Sequence, residues 1–284
     1  MIPILIADSG STKTDWRLLT ENGQHRDFST SGINPYVDSR DSILSSLQNE
    51  IPWDNSILGA GKLFYYGAGA SSIEKQHLLA AILSEHFGIS KIQVQGDLLA
   101  AAIGLFGQNP GMVCILGTGS SSCYYDGTMI HEQQPSLGYI AGDEGSGNYM
   151  GKRILQYYTY GTFDDELRMG FELRFGNDVR KIINKLYHEP YPNRYLASFV
   201  SLLHENRGHY MVENIVEDSI NDFFQTNLLK YRQAWNSQIG FAGSVAFHFR
   251  DVLANICDQY ELDLGPVIKS PMDGLAEFHT NNPV

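Results

Sequence analysis

One pattern occurs twice in this chain and constrains its fold more than any other. An apolar run, a bend of Gly, Ser and Thr, and a second strand-like run appear as ILIADSGSTKTDWRLL near the N-terminus and again as MVCILGTGSSSCYYDG from Met112. Each copy reads as a β-hairpin closed by small residues. Two copies predict a duplicated architecture with one hairpin per domain. A length of 284 residues agrees with two domains, at about 150 residues each.

The rest of the chain fits an α/β pattern. Ile2 to Ala7, Asp15 to Leu19, residues 63–66 and Lys91 to Gln95 read as strands. Ile73 to Phe87 carries apolar residues at helical spacing and is closed by Gly88. Leu98 to Phe106 is apolar and rich in Ala, which predicts a buried helix. The pattern restarts at Met112, placing a domain boundary between residues 110 and 111. Residues 150–235 read as mainly helical. Ile239 to Val245 reads as a strand running into a turn, Ala246 to Tyr260 as one helix, Val267-Ile268 as a short strand, and Pro271 as the start of a final helix.

Composition narrows the function classes. The net charge of −12 argues against a partner that needs a basic face, whether nucleic acid or an anionic membrane surface. Bound phosphate remains open, because backbone N–H groups hold anions without net positive charge. Cys114, Cys123 and Cys257 show no C-x-x-C spacing and cannot form a disulfide framework, which fits a reduced compartment. The N-terminal apolar run is short and lacks a basic region ahead of it, so it reads as a strand rather than a signal peptide. Leu98 to Phe106 is far below the ~20 residues of a membrane span. The expectation is a cytoplasmic protein that engages neither nucleic acid nor membrane.

Five segments can carry chemistry. In the first, an apolar strand ends in Asp8 and runs into Gly10, Ser11, Thr12 and Lys13. Gly10 permits a tight turn, the hydroxyls and Lys13 supply donors and a cation, and Asp8 can hold magnesium through water. The same residues also make an ordinary polar hairpin turn. The second segment is Gly117, Thr118 and Gly119, followed by Ser120 and Ser121. Paired with the first, it would bracket a triphosphate. The third is Gln95-Gly96-Asp97-Leu98. Asp97 follows a strand and opens a helix, as a helix cap would, and equally as a catalytic base at the carboxyl end of a strand. The fourth, Ser136 to Gly147, is dense in glycine and holds Asp143 beside Glu144; one carboxylate can take sugar hydroxyls while the other is structural. The fifth is Gly243-Ser244, a strand-to-helix turn where a flat ring can approach closely and a helix N-terminus favours negative charge.

Other motifs fail. GAGASS at 67–72 misses the last glycine of G-x-G-x-x-G, and GAGK at 59–62 lacks the spacing of a phosphate-binding P-loop. No H-E-x-x-H or G-x-S-x-G is present. The nine histidines read as mostly surface residues, and Tyr157, Tyr158, Tyr160 and Phe163 as packing or a lid.

Taken in order, these segments resemble the sugar kinase, actin and heat-shock-protein ATPase superfamily, and within it the N-acetylglucosamine kinases and the related BadF/BadG-type ATPase group. The resemblance implies two ribonuclease-H-like (actin-like ATPase) domains around a nucleotide cleft, 1–110 and 111–270, with the C-terminal helix 271–284 packing back on the first. It implies ATP and magnesium as cofactors and a small-molecule sugar as partner, with a homodimer as a candidate assembly. By the resemblance, Asp8 to Lys13 and Gly117 to Gly119 are the two phosphate loops, and Asp97 is the catalytic base. Gly243 and Ser244 are the adenosine motif, with Gly208 near the adenine. Asn34, Ser120, Ser121, Gly138 and Asp143 match sugar contacts. The chain departs from the group in several places, among them a Gly-Asp-Pro segment represented here by Gly208-His209. Ser136-Leu137-Gly138 stands for Gly-Trp-Gly, Ser121 for an asparagine, and Ser9 and Ser11 for glycines. The expected reaction is phosphorylation of an amino sugar, N-acetylglucosamine at its 6-hydroxyl. The alternative is a BadF/BadG-type ATPase that is not a sugar kinase, although no cysteine here is placed for an iron–sulfur cluster.

Overall fold

The computed structural model describes residues 2–54, 57 and 59–282, with Glu132 as backbone only. The chain divides into two compact units. Unit 1 holds 1–109, 126–129 and 270–284, and unit 2 holds 110–125 and 130–269.

Unit 1 is built on a five-stranded sheet of order β3-β2-β1-β4-β5. The strands are β1 (Ile4–Ser9), β2 (Lys13–Leu19), β3 (His25–Ser31), β4 (Lys62–Gly67) and β5 (Ile92–Gly96). β1, β2 and β3 form an antiparallel meander, and β1, β4 and β5 run parallel. β1 is apolar from Ile4 to Ala7 because both its faces are covered there. Leu5 and Ala7 join one cluster with Leu63 and Tyr65, whereas Ile4 and Ile6 join another with Phe64 and Tyr66. The first cluster takes in α1 (Arg40–Glu50) and α2 (Ile73–Phe87). The second is closed by α3 (Asp97–Phe106) and the C-terminal α13 (Met272–Asn281). Within it His279 stacks on Phe64 with ring centroids 3.7 Å apart, and its Nε2 lies 2.9 Å from the Tyr66 hydroxyl.

Unit 2 repeats this sheet strand for strand, in the order β10-β9-β6-β7-β8. Its strands are β6 (Gly111–Leu116), β7 (Ser120–Tyr125), β8 (Ile130–Gln133), β9 (Ile239–Ala242) and β10 (Leu264–Ile268). Again the first three are antiparallel, and β6, β9 and β10 are parallel. Between β8 and β9 lie α4 (Gly138–Ala141), α5 (Gly147–Thr159), α6 (Asp165–Phe175), α7 (Val179–His188), α8 (Pro192–Ser198), α9 (Val200–Glu205) and α10 (Tyr210–Thr226). All of these but α4 share one large apolar cluster with Met112, Cys114 and Leu116 of β6.

Several elements differ from the sequence expectation. β3 and β8 extend each hairpin into a meander. β3 reads HRDFSTS with Thr30 its one buried residue, because an edge strand has no second neighbour to make it apolar. α1 escaped notice because only Ile43 and Leu47 are buried on it. The single helix expected over Ala246 to Tyr260 is two, α11 (Ser244–His248) and α12 (Arg250–Gln259), separated by buried Phe249. The strand expected to reach Val245 ends at Ala242. Asp97 is not the cap of α3: Gly96 occupies the cap, and Asp97 is the first helical residue.

Candidate active site

In unit 1 the parallel strands bring the candidate residues to one edge. Ser9 of β1 pairs with Gly67 of β4, which pairs with Gly96 of β5. Asp8 sits one residue before this line and Asp97 one after it, both at carboxyl ends of strands, where α/β sheets carry their ligands. Both carboxylates are partly buried. Burial, and then the neighbouring Asp97 and Asp15, push the Asp8 carboxyl up to about 7, against a smaller pull from Lys13. Burial likewise raises Asp97, whose Oδ1 accepts the Leu98 N–H at 3.0 Å.

The bend after β1 closes through the Gly10 N–H, which donates to the Lys13 carbonyl at 2.9 Å. Gly10, Thr12 and Lys13 are exposed, with Ser11 between them partly so. Lys13 pairs with Asp15 at 2.8 Å. The serine at position 9, where the related group has glycine, is part of the anchor. Its hydroxyl lies 2.7 Å from that of Thr14 and accepts the Ile33 N–H at 3.2 Å. Gly32 lies directly on the bend: its N–H donates to Thr12, and a Cβ there would stand 2.4 Å from the Gly10 carbonyl oxygen. The same chain leads to Asn34, whose Oδ1 accepts the Tyr36 N–H at 3.0 Å and packs against Gly69. The Asn34 backbone N–H donates to Asp38 Oδ2 at 2.7 Å.

Unit 2 assembles its own group. The bend Gly117–Gly119 is closed by the Gly117 N–H on the Gly119 carbonyl at 3.0 Å. The start of α5 grips it from behind: Gly147 N–H donates to Gly117 at 2.8 Å and Asn148 N–H to Thr118 at 3.0 Å. Gly243 packs against the same bend with φ +116°, and a Cβ there would stand 2.4 Å from the Leu116 carbonyl oxygen. Asp143 is held at φ 61° beside Gly119, where a Cβ would lie 3.0 Å from its Oδ2. Burial raises its carboxyl, with Asn148, the Ser120 N–H and Lys152 pulling it down and Glu144 pushing it up. Gly138 opens the four-residue α4, which is tied to α5 by Lys152 Nζ on the Tyr139 carbonyl at 2.8 Å.

Local geometry bears on three of the sequence readings. Ser120 and Ser121 are neighbours on β7, so their side chains project to opposite faces. Ser120 shares a face with Ser122, whose hydroxyl lies 3.0 Å from that of Tyr231. One sugar can therefore meet at most one of the two serine side chains. Ser244 begins a helix of only five residues, too short for the helix-terminus field expected there. Gly208 is joined to Glu213, through its N–H at 2.6 Å, and Arg207 beside it binds Asp251; the space around Gly208 is open. Gly32, Gly69, Asn148 and Lys152 went unnoticed in the sequence. Asn148 follows the glycine-rich segment directly, and Gly32 directly precedes Ile33-Asn34.

The residues present fit a nucleotide and a hard cation. Gly117 has nothing within 4 Å of a would-be Cβ and Gly10 only the Lys13 carbonyl at 3.7 Å, so both bends leave room on their outer side. No side chain or N–H among the described residues donates to the Asp8 carboxylate, which stands in an edge made negative by Asp15 and Asp97. No cluster of three His, Cys, Asp or Glu among the described residues can cage a metal. A cation on Asp8 would keep its waters and take phosphate oxygens, as magnesium does. All three cysteines are buried. No helix among the described residues is long and apolar enough to cross a membrane.

No family model and no curated protein matches the chain. Solved structures do. A candidate N-acetylglucosamine kinase from Porphyromonas gingivalis is 38% identical over 99% of this chain and 100% of its own, with a TM-score of 0.93. A second candidate N-acetylglucosamine kinase, from Chromobacterium violaceum, is 18% identical over 98% and 99%, with a TM-score of 0.72. A ROK-family glucokinase from Streptomyces griseus, solved with glucose and AMPPNP, is 14% identical over 97% and 96%, with a TM-score of 0.56. The last two share the fold. With the duplicated sheet and the first of these relatives, the chain belongs to the N-acetylglucosamine kinase group of the sugar kinase–actin superfamily.

Proposed function

We propose that this protein is an ATP-dependent sugar kinase that phosphorylates N-acetylglucosamine on its 6-hydroxyl, with Asp97 as the general base. The observation that carries the reading is the shared edge of unit 1, where Asp8 and Asp97 flank β4 and burial raises both carboxyls. A carboxylate raised toward neutrality is a better proton acceptor at working pH. In this reading Asn34, Gly138, Asp143 and one of Ser120 and Ser121 hold the sugar. Asp97 then accepts the proton of the attacking hydroxyl through the oxygen not bound to Leu98.

The bends Gly10–Lys13 and Gly117–Gly119 present N–H groups and hydroxyls to the ATP phosphates. Gly243 and Ser244 lie against the nucleoside. Asp8 would hold magnesium, which neutralises charge on the transferring phosphoryl group. In this reading the enzyme works in the cytoplasm, where ATP is supplied.

The test is ATP turnover with N-acetylglucosamine, glucosamine, N-acetylmuramate, N-acetylmannosamine and glucose, the product located by phosphorus NMR. The expected result is fastest turnover with N-acetylglucosamine and a 6-phosphate product. ATP hydrolysis that no sugar stimulates would instead favour the BadF/BadG-type ATPase.

A further inference from the structure

Asn148 is fully buried in unit 2, and its side chain joins two parts of the candidate site. Its Nδ2 donates to the Thr118 carbonyl at 2.6 Å and to Asp143 Oδ2 at 2.7 Å. Both partners are acceptors, so the amide has one orientation, nitrogen toward them. Its Oδ1 then faces away, buried and without a donor among the described residues. A buried acceptor left without a donor costs folding free energy, which the two bonds of the nitrogen must offset. What singles the amide out is the pair of groups that its nitrogen joins.

What it holds is a strained arrangement. Asp143 sits at φ 61°, a backbone conformation that non-glycine residues keep only when their surroundings impose it. Gly119 leaves room for the carboxylate, and Gly147 fixes the neighbouring carbonyl of the bend. We propose that Asn148 is a positioning residue that ties the Thr118 carbonyl of the β6–β7 bend to the Asp143 carboxylate, so that the phosphate-side bend and the sugar-side acid keep one mutual geometry. This rests on the kinase reading above.

The groups that face Asp143 are the Asn148 amide, the Ser120 N–H, Lys152 of α5 and Glu144 beside it in the chain. Removing the amide takes away the largest of the interactions that oppose the effect of burial on that carboxyl.

The test compares wild type, Asn148→Ala, Asp143→Asn and the double variant, reading kcat/KM for N-acetylglucosamine from pH 5 to 9. Asn148→Ala is expected to lower kcat/KM about tenfold and to add little once Asp143 is already Asn, as coupled groups do. It is also expected to move the acid limb of the profile to higher pH. Additive losses, or an unmoved limb, overturn the inference.

Asn148→Leu takes the amide donor from Asp143 and is expected to melt below wild type; its sugar kcat/KM, read well below that melting temperature, is expected to fall about tenfold. A Leu variant that is folded at the assay temperature and keeps wild-type activity contradicts the inference. A wild type inert toward every sugar removes the kinase reading and this inference together. An active wild type with an indifferent Asn148→Ala removes this inference alone.

Discussion

In unit 1 the bend after β1 is anchored by hydroxyls and ends beside carboxylates. In unit 2 the bend after β6 is anchored by an amide and by backbone N–H groups. The sheets beneath them have the same strand order and directions. Both central strands have six residues, and where β1 ends in Asp8-Ser9, β6 ends in Ile115-Leu116. One backbone plan has thus been used for two electrostatic tasks. Unit 1 concentrates acid in Asp8, Asp15 and Asp97. Unit 2 offers its bend with no acid on the strand and holds its acid, Asp143, on a separate loop.

The sharpest break in this comparison is expected at Asp97. Asp97→Asn should reduce phosphoryl transfer by about a thousandfold, within the range of a lost general base, while ATP affinity stays near wild type. Calorimetric ATP titration beside a turnover assay checks this. Next comes Asp8. Asp8→Ala should reduce turnover about a hundredfold at limiting magnesium, the order of effect expected when a charge-stabilising group is removed. In the wild type a carboxyl raised to about 7 must lose its proton to bind a cation. Apparent magnesium affinity should therefore fall about tenfold per pH unit below 7. An affinity independent of pH would remove Asp8 from that role.

Smaller effects come from the glycines that seat the two bends. Gly243→Ala and Gly32→Ala each place a Cβ 2.4 Å from a carbonyl oxygen. Gly243 carries the added cost of positive φ, about 1–3 kcal/mol. Both should raise the ATP KM, Gly243→Ala the more, and thermal melting should fall in the same order.

The mildest effects concern stability against pH. Burial, and then Lys62, hold His279 down to about 4. The folded state therefore resists protonation, and stability is lost as pH falls from 6.5 toward 4, by about 1.4 kcal/mol per unit at most. The raised Asp8 carboxyl acts in the opposite sense, because the folded state keeps its proton and stability is lost as pH rises from 3.8 toward 7. Asp8→Asn should therefore steepen the loss of stability on acidification, and His279→Gln should flatten it. Melting temperatures across pH 4 to 7 decide, and slopes that move together would contradict both assignments.

The sequence was most legible where apolar runs stop at small residues. β1, β6 and both bends could be read because a strand is apolar where both its faces are covered, and the small polar residues that follow mark the turn. β3 and β8 could not, since an edge strand is polar and resembles a loop. The break at Phe249 was hidden because a helix pair and a single helix have the same apolar spacing. Asn148 could not be read because its importance lies in contacts to Thr118 and Asp143, which no spacing rule encodes. The opposed directions of Ser120 and Ser121 follow from β7 being a strand, which the hairpin pattern already implied.

The most direct test of the central claim is formation of N-acetylglucosamine 6-phosphate from ATP, followed by phosphorus NMR for the wild type and Asp97→Asn side by side. The account predicts a sugar phosphate resonance with the wild type, and for Asp97→Asn bound ATP with almost no product. Product formed by Asp97→Asn at the wild-type rate would contradict it.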